Sequence, residues 1–197
     1  MDIQIARVNT AGAYVCVNGY YLFAIGIQPY KGRIPIVRLG GHRKAHETGW
    51  QCAAREVYEE TSLRIKPLLP QTTYLADWDQ LESDLQEIRW QPKSEQESAP
   101  ILVLTYLGEN MTSLSLMYLA HAEGVPKPSS EVKGLILLEK DEIHHLRRDS
   151  MTLEEYLRNG GRAILKEEFE ARLLLEPFAQ LRLLSKILSV QSDIKVA

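Results

Sequence analysis

Short apolar runs separated by polar and turn residues mark strands along the first two thirds of the chain. Two apolar runs flank Asn18-Gly19 and predict strands near 12–17 and 20–26, because Asn-Gly favours the positive φ angles of a two-residue hairpin turn. Six further segments have the same character: RIPIVRLGG, SLRIKPL, TTYLADW, PILVLTYLG, SLSLMYLAHAEG and VKGLILL. The hairpins favour a mixed sheet over an all-parallel one.

One helix interrupts these strands, over about residues 48–61. Thr48 and Gln51 have the spacing of a capping box, in which each side chain bonds the backbone of the other residue. Apolar residues then recur at helical spacing: Trp50, Ala53, Ala54 and Val57. We therefore expect this helix to lay one apolar face on the sheet.

The pattern after residue 150 predicts a helical segment. SMTLEEYLRNGG has a cap at its start and glycines at its end, and the residues from 162 to 190 also have a helical pattern, with Pro177 beginning the last helix. Its apolar stripe consists of Phe178, Leu181, Leu184 and Leu188. Two interpretations stand: the stripe packs on the preceding domain, or it forms the surface of a homodimer.

A polar, charged stretch covers residues 79–98. We interpret it as a long surface loop or short helix, and as a candidate lid. The EKDEIHHL segment after the last strand predicts a further short helix.

Composition narrows the class of protein. A chain of 197 residues suits one domain with an extension, which we place at 1–150 and 151–197. The net charge of −3 gives no reason to expect a nucleic acid polymer as partner. No segment has the apolar length of a membrane span, and Cys16 and Cys52 have no CxxC spacing. We expect reduced cysteines and a cytoplasmic protein.

Three glutamates in the predicted helix suggest metal chemistry. Glu56, Glu59 and Glu60 lie at i, i+3 and i+4 and therefore share one helix face. Like charges at this spacing repel, and the nearby helix C-terminus also disfavours anions. A divalent cation would reverse both effects, and Mg²⁺ and Mn²⁺ prefer carboxylate ligands. The plainer alternative is a solvated acidic face balanced by Arg55.

The wider spacing of residues 41–63 resembles the box of the Nudix hydrolases. That box reads Gly, five residues, Glu, seven residues, then Arg-Glu-hydrophobic-any-Glu-Glu-any-Gly-hydrophobic. The chain supplies Gly41, Glu47, Arg55, Glu56, Val57, Glu59, Glu60 and Leu63. Ser62 stands where the family has glycine, which ends the helix in a left-handed turn.

The resemblance implies a fold, an activity and a set of roles. The fold would be an α/β/α sandwich around a mixed β-sheet, here with a C-terminal helical extension. The activity would be Mg²⁺- or Mn²⁺-dependent hydrolysis of a nucleoside diphosphate linked to another moiety. Carried over to this chain, the metal ligands are Glu56, Glu59, Glu60 and the carbonyl of Gly40. Arg55 and Glu47 would pair in a structural role.

Other roles are less closely defined by the sequence. The general base that takes the proton of the attacking water is Glu56 or, in the loop before the last strand, Glu131. The basic residues Arg38, Arg43 and Lys44 lie near the Gly pair, Gly40 and Gly41, and are candidate phosphate contacts. Surface solubility is the more common explanation for any one such residue. His42, His46, His144 and His145 are interpreted as non-ligands.

Two alternatives to a hydrolase were considered. One is a nucleotide-binding module without turnover, which gives no reason to retain three repelling carboxylates. The other is a Nudix-like prenyl diphosphate isomerase, for which we identify no additional acid or base. The short signatures of several Nudix substrate classes do not occur in the chain. Trp78 lies near the tyrosine position of the dinucleoside polyphosphate class and is a candidate for stacking a base or for the core.

Overall fold

The chain folds as an α/β protein in which a mixed sheet lies between helices. A computed structural model describes residues 8–26, 32–91, 97–107, 112–129 and 131–191. The strands are β1 Val8–Val17, β2 Tyr20–Ile25, β3 Ile34–Val37, β4 Leu39–His42, β5 Ile65–Leu68, β6 Thr73–Asp77, β7 Gln86–Ile88, β8 Leu102–Leu107, β9 Thr112–Ala122, β10 Gly134–Leu138, β11 Arg162–Leu165 and β12 Leu175–Pro177. The helices are α1 Gly49–Thr61, α2 Lys140–Arg148, α3 Leu153–Arg158 and α4 Ala179–Val190.

The sheet is mixed, as the hairpins predicted. Its main order is β11-β10-β2-β1-β9-β8-β6-β7. Outside this order, β3 pairs with β2, β4 with β1, β5 with β9, and β12 with β3. The pairs β1–β9, β6–β8 and β3–β12 are parallel, whereas the other pairs are antiparallel. The predicted strand RIPIVRLGG is divided at Arg38, so that β3 pairs with β2 and β4 pairs with the first half of β1.

Alternation along the strands gives the sheet two apolar faces, each with its own core. Ala11, Ala13 and Val15 of β1 face α1, where they meet Cys52, Ala53 and Val57 of the helix. The opposite face is covered by α2, α3 and α4, whose buried leucines and isoleucines join a second cluster. This arrangement is the α/β/α sandwich that the sequence predicted.

The C-terminal segment differs from the prediction in one part. Between α3 and α4 the expected helix is replaced by two strands: β11 pairs with β10, and β12 pairs with β3. Pro177 ends β12, and α4 begins two residues later, with Phe178 as its N-cap. The division of the chain at residue 150 remains a prediction, but both strands hydrogen-bond the main sheet.

The leucine stripe of α4 lies in the core. Leu181, Leu184 and Leu188 are buried against the face of the sheet that α2 and α3 also cover. Ser185, on the same helix, is 2.9 Å from Nδ1 of His144 in α2. These leucines of α4 therefore pack against the sheet.

The polar stretch after β6 is tied to the helical face. Trp78–Gln80 form a short 3-10 helix, and β7 pairs with β6; residues 92–96 of the stretch lie outside the described residues. Lys186 of α4 donates to the carbonyls of Leu81 (2.7 Å) and Ser83 (2.9 Å). Glu82 contacts both Arg147 and Arg182. These contacts anchor residues 81–83 to α2 and α4.

Membrane insertion through a helix is not indicated for the described ranges. The longest helix there, α1, has 13 residues, and none combines the length and apolar character that crossing a bilayer requires.

Candidate active site

Helix α1 begins and ends at defined backbone signals. The Thr48 hydroxyl accepts from the Gln51 N–H (3.1 Å), and the Gln51 side chain accepts from the Thr48 N–H (2.9 Å). At the other end, Ser62 has φ 60° and ψ 12°, in the left-handed region. Its N–H donates to the Tyr58 carbonyl at 2.8 Å. The helix therefore ends in the left-handed turn that a glycine would adopt at lower cost.

A loop before β10 covers the last carbonyls of α1. The backbone N–H of Lys127 donates to Thr61, and that of Ser129 donates to Glu60, both at 2.9 Å. The Ser129 hydroxyl also donates to the Glu59 carbonyl. These contacts bring the loop that carries Glu131 to the C-terminal end of α1. No local pattern marks Lys127 and Ser129 in the sequence, because backbone contacts of this kind depend on where two distant segments meet.

Arg55 contacts three carboxylates of the candidate site. Its Nε and Nη2 donate to the two oxygens of Glu47 at 2.5 and 3.0 Å, while Nη1 donates to Glu56 (2.7 Å) and Glu59 (3.1 Å). Nη2 also reaches the His42 carbonyl. The Arg55 guanidinium lowers the pKa of Glu47 to about 2 through these bonds, against a smaller opposing effect of burial.

Glu60 occupies a more buried position, beside the Gly pair. One carboxylate oxygen accepts from the Gly40 N–H at 2.9 Å. Burial raises the pKa of Glu60 to about 8, although the Gly40 hydrogen bond and the charge of Arg38 oppose that rise. Glu60 is thus the carboxylate for which a bound cation would bring the largest gain.

Both glycines of the pair are required by close approach. Gly40 has φ 140°, and a Cβ there would lie 2.4 Å from the Ala11 carbonyl oxygen. A Cβ on Gly41 would lie 2.4 to 2.6 Å from the carboxyl atoms of Glu56. Any larger residue at 41 would therefore push the Glu56 carboxylate away from the strand.

The three candidate phosphate contacts have different surroundings. The Arg38 side chain lies against Gly12 and Gly40 and donates to the Ala11 carbonyl at 3.3 Å. Burial lowers the pKa of Arg38, and the charge of Glu60 opposes that effect. Arg43 donates to the carbonyls of Val8 (2.9 Å) and Glu47 (2.6 Å), so its guanidinium is used to hold the loop.

Lys44 has an exposed side chain, while its backbone N–H donates to Glu47 at 2.9 Å. Of the three, Lys44 is the one with an exposed side chain.

An aromatic pair lies near Arg38 on the side of the sheet opposite α1. Trp78 and Tyr106 stack with ring centroids 4.7 Å apart. Burial raises the pKa of Tyr106, and the charge of Arg38 partly offsets this. Tyr106 was missed in the sequence, although alternation along β8 places it on the same face as Leu102 and Leu104.

The remaining predicted residues are placed as follows. Glu131 is exposed in the turn before β10. His42 and His46 are exposed beside the loop, His144 bonds Ser185, and His145 lies 3.3 Å from Asp149 in α2. Trp78 is partly buried. The two cysteines are buried and unpaired.

The donor set fits a hard divalent cation. Within the ranges that the structure describes, no three histidine, cysteine, aspartate or glutamate side chains are arranged as a formed metal site. However, Glu56 and Glu59 already converge on one positive group, Nη1 of Arg55. Together with Glu60 and the Gly40 carbonyl they offer only oxygen ligands, which Mg²⁺ and Mn²⁺ prefer.

Solved structures similar to this chain include Nudix hydrolases. One from Clostridium perfringens is 19% identical, with 70% of this chain and 83% of the other covered and a TM-score of 0.45. An Ap4A hydrolase from C. elegans is 15% identical over 68% and 81%, with a TM-score of 0.44. The ORF135 protein of E. coli is 14% identical over 98% and 99%, also with a TM-score of 0.44.

The first of these carries the name of the family that residues 41–63 resemble. No protein-family model and no curated protein matches the chain.

Proposed function

We propose that the protein is a metal-dependent pyrophosphohydrolase of the Nudix type, which cleaves a nucleoside diphosphate linked to another moiety. The observation that carries this proposal is the position of three glutamates on one face of α1. Glu56 lies against Gly41, and Glu60 accepts from the Gly40 N–H. Glu59 shares Nη1 of Arg55 with Glu56. Three carboxylates that repel one another lower the stability of a helix. They do have value as ligands.

Glu56, Glu59, Glu60 and the Gly40 carbonyl would hold Mg²⁺ or Mn²⁺. When bound, such an ion neutralises phosphate charge and lowers the pKa of a coordinated water. Arg55 prepares this arrangement, because it draws Glu56 and Glu59 toward the same point and ties the helix to Glu47. Its role is to position the carboxylates.

Two carboxylates are candidates for the general base that takes the proton of the attacking water. Glu56 lies against Gly41 and is held by Arg55. Glu131 lies in the loop that covers the end of α1. A general base contributes about 100- to 10,000-fold to such a reaction. The two candidates therefore predict clearly different losses on substitution.

The substrate phosphates would be met by basic side chains near the Gly pair. Arg38 is held beside Glu60 by the sheet, and Lys44 extends from the exposed loop. Arg43 supports the loop through its bonds to backbone carbonyls. We expect Arg43 to affect stability more than substrate affinity.

A hydrolysis screen tests the proposal. The full chain would be incubated with Mg²⁺ or Mn²⁺ and a panel of nucleoside diphosphate derivatives, with products identified by mass. We expect release of a nucleoside monophosphate or phosphate. Glu59→Gln and Glu60→Gln should each lower turnover on the order of 100-fold. Glu87→Gln, an exposed carboxylate on β7, is the matched control and should change nothing.

A parallel comparison identifies the base. Glu56→Gln and Glu131→Gln would be assayed at saturating metal, and the base is the residue whose loss lowers kcat while metal affinity persists. Absence of product from every substrate, with metal affinity unchanged in Glu59→Gln and Glu60→Gln, would refute the proposal. Tight nucleotide binding without turnover would indicate a binding module instead.

A further inference from the structure

A cavity lies at the C-terminal end of α1, on the side away from the three glutamates. Its volume is about 470 Å³. The lining residues are Tyr58, Ser62, Leu63, Arg64, Lys66, His121, Ala122 and Glu123. Tyr58 points about 150° around the helix from the centre of the glutamate face, as the 100° step per residue requires. The cavity is therefore separate from the candidate active site.

Basic side chains collect on one face of the β5–β9 pair at this cavity. Lys66 is directly opposite His121 in the antiparallel register, and Arg64 precedes Lys66 by two residues on the same face of the chain. The positive charges of Arg64 and Lys66, two residues apart on one face, repel each other. Only Glu123 among the lining residues brings a negative charge, at 3.6 Å from Nε2 of His121. An anion in the cavity would offset the remaining repulsion.

One basic side chain in the cavity is already oriented by a neighbour. The Tyr58 ring is 49% exposed, and the Arg64 guanidinium lies over it, 5.6 Å from the ring centroid. Stacking of this kind restricts the guanidinium while leaving its N–H groups available to a ligand.

The helix end does not oppose an anion here as strongly as its dipole suggests. The carbonyls of Glu59, Glu60 and Thr61 already accept hydrogen bonds from Lys127 and Ser129. The left-handed turn at Ser62 brings an exposed side chain with a hydroxyl donor to the edge of the cavity. A glycine at this position would offer no such group.

We infer that this cavity is a binding site for a phosphate-type oxyanion, carried either by inorganic phosphate or by the phosphoryl group of a nucleotide. Arg64 and Lys66 supply the charge, and the exposed Ser62 hydroxyl supplies a hydrogen bond. The site stands independently of the proposed hydrolase activity, since it shares no residue with the carboxylate cluster.

The test is a titration of the full-length, isotope-labelled protein with inorganic phosphate and with adenosine monophosphate, followed by amide NMR. A chelator keeps divalent ions from bringing either ligand to the glutamates. We expect shifts concentrated at Tyr58, Ser62–Lys66 and His121–Glu123, and not at Glu59 and Glu60. Arg64→Gln combined with Lys66→Gln should weaken affinity about tenfold or more, because each removes a charged hydrogen bond. Lys127→Gln combined with Arg158→Gln removes the same charge outside the cavity and should have little effect.

Each result bears on the inference. Binding of both ligands identifies the oxyanion as sufficient, whereas binding of adenosine monophosphate alone assigns the phosphoryl group of a nucleotide. Absence of shifts at the cavity with either ligand overturns the inference, as does equal loss of affinity in the control pair. The map obtained with the unmodified protein decides the matter even if a variant folds poorly. A failed hydrolysis screen would leave this result untouched.

Discussion

At the scale of single residues, the candidate site depends on how charge is shared. Arg55 bonds Glu47, Glu56 and Glu59, whereas Glu60 is left with a backbone N–H and the more distant charge of Arg38. Glu47 and Glu60 therefore differ in ionisation although they belong to one short motif. Glu47 is held ionised, and Glu60 is pushed toward its neutral form.

Glu47 should make stability dependent on acid pH. Its pKa falls from 4.5 in the unfolded chain to about 2 in the folded one, so its contribution is complete above 4.5 and is lost as the pH falls toward 2. We expect Glu47→Gln to lower the free energy of unfolding at neutral pH, and the gap to the unmodified protein to close in acid. Denaturant unfolding of both proteins, from neutral pH down to about pH 2, measures this difference in the free energy of unfolding. Glu154→Gln, from the exposed pair with Arg158, is the control.

Glu60 should have the opposite effect when divalent ions are chelated. Its pKa rises from 4.5 to about 8 on folding, so ionisation costs stability increasingly between these values. Glu60→Gln should therefore raise the midpoint of thermal unfolding, by an amount that grows with pH up to about 8 and then levels off. Glu59→Gln, at a side chain 47% exposed, is the matched control. A pH-independent difference would refute this account of Glu60.

Ser62 carries a cost that glycine would not. At φ 60° a side chain with a Cβ is strained by on the order of 1 kcal/mol. Ser62→Gly should raise the free energy of unfolding by up to about 1 kcal/mol and leave turnover alone. Chemical denaturation and a hydrolysis assay measure the two effects. A large change in turnover would show that Ser62 acts on the reaction.

At the scale of elements, the parts best predicted from the sequence are those with local signals. The bounds of α1 follow from Thr48, Gln51 and the turn at residue 62, all of which act within one or two helical turns. The hairpin at Asn18-Gly19 is equally local, and Asn18 has the positive φ that it requires. Signals of this range do not depend on the rest of the fold.

The segment between α3 and α4 was wrongly predicted because its structure is not local. Residues 162–165 contain good helix formers, yet they lie beside β10, whose free edge they complete. Leu175–Pro177 pair with β3 in the same way. Pairing with a distant strand overrides intrinsic propensity, and a single sequence does not show which edges are open.

Helix α4 should contribute strongly to stability. Leu184 is fully buried on the face of the sheet opposite α1. Leu184→Ala should lower the free energy of unfolding by about 2 to 5 kcal/mol, since it leaves a cavity in a packed core. Val190→Ala, at a side chain 65% exposed, should cost much less. If Leu184→Ala and Val190→Ala lowered the free energy of unfolding equally, the stripe would instead be a candidate surface between two copies of the chain.

At the scale of the whole molecule, the C-terminal segment is joined to the sheet at two separate places. One is β11 on β10, and the other is β12 on β3, which leads directly to Arg38 and the Gly pair. A chain ending at residue 161 should therefore lose its cooperative unfolding transition, which circular dichroism during heating would measure. A truncated chain that unfolds cooperatively and retains turnover would instead support a separable extension after residue 150.

The candidate site was predictable only in part, because some of its contacts depend on the whole fold. The glutamates, Arg55 and the Gly pair share one motif, whose spacing shows in the sequence. The meeting of Arg38 with Glu60 and Tyr106 depends on the kink between β3 and β4 and on the register of β8. Tertiary contacts of that kind produce no repeating pattern in the sequence.

The central pairing of the sheet has a consequence for how the protein is made. β1 lies parallel to β9, so that Val8 pairs with Leu114 and Cys16 with His121. A ribosome adds about 5 to 20 residues per second, so β1 emerges many seconds before its neighbour exists. During that interval an apolar strand waits with one edge open. Because contacts so distant in sequence slow folding, the β1–β9 pairing should be a late event in folding, and the chain should be exposed to aggregation until β9 is made.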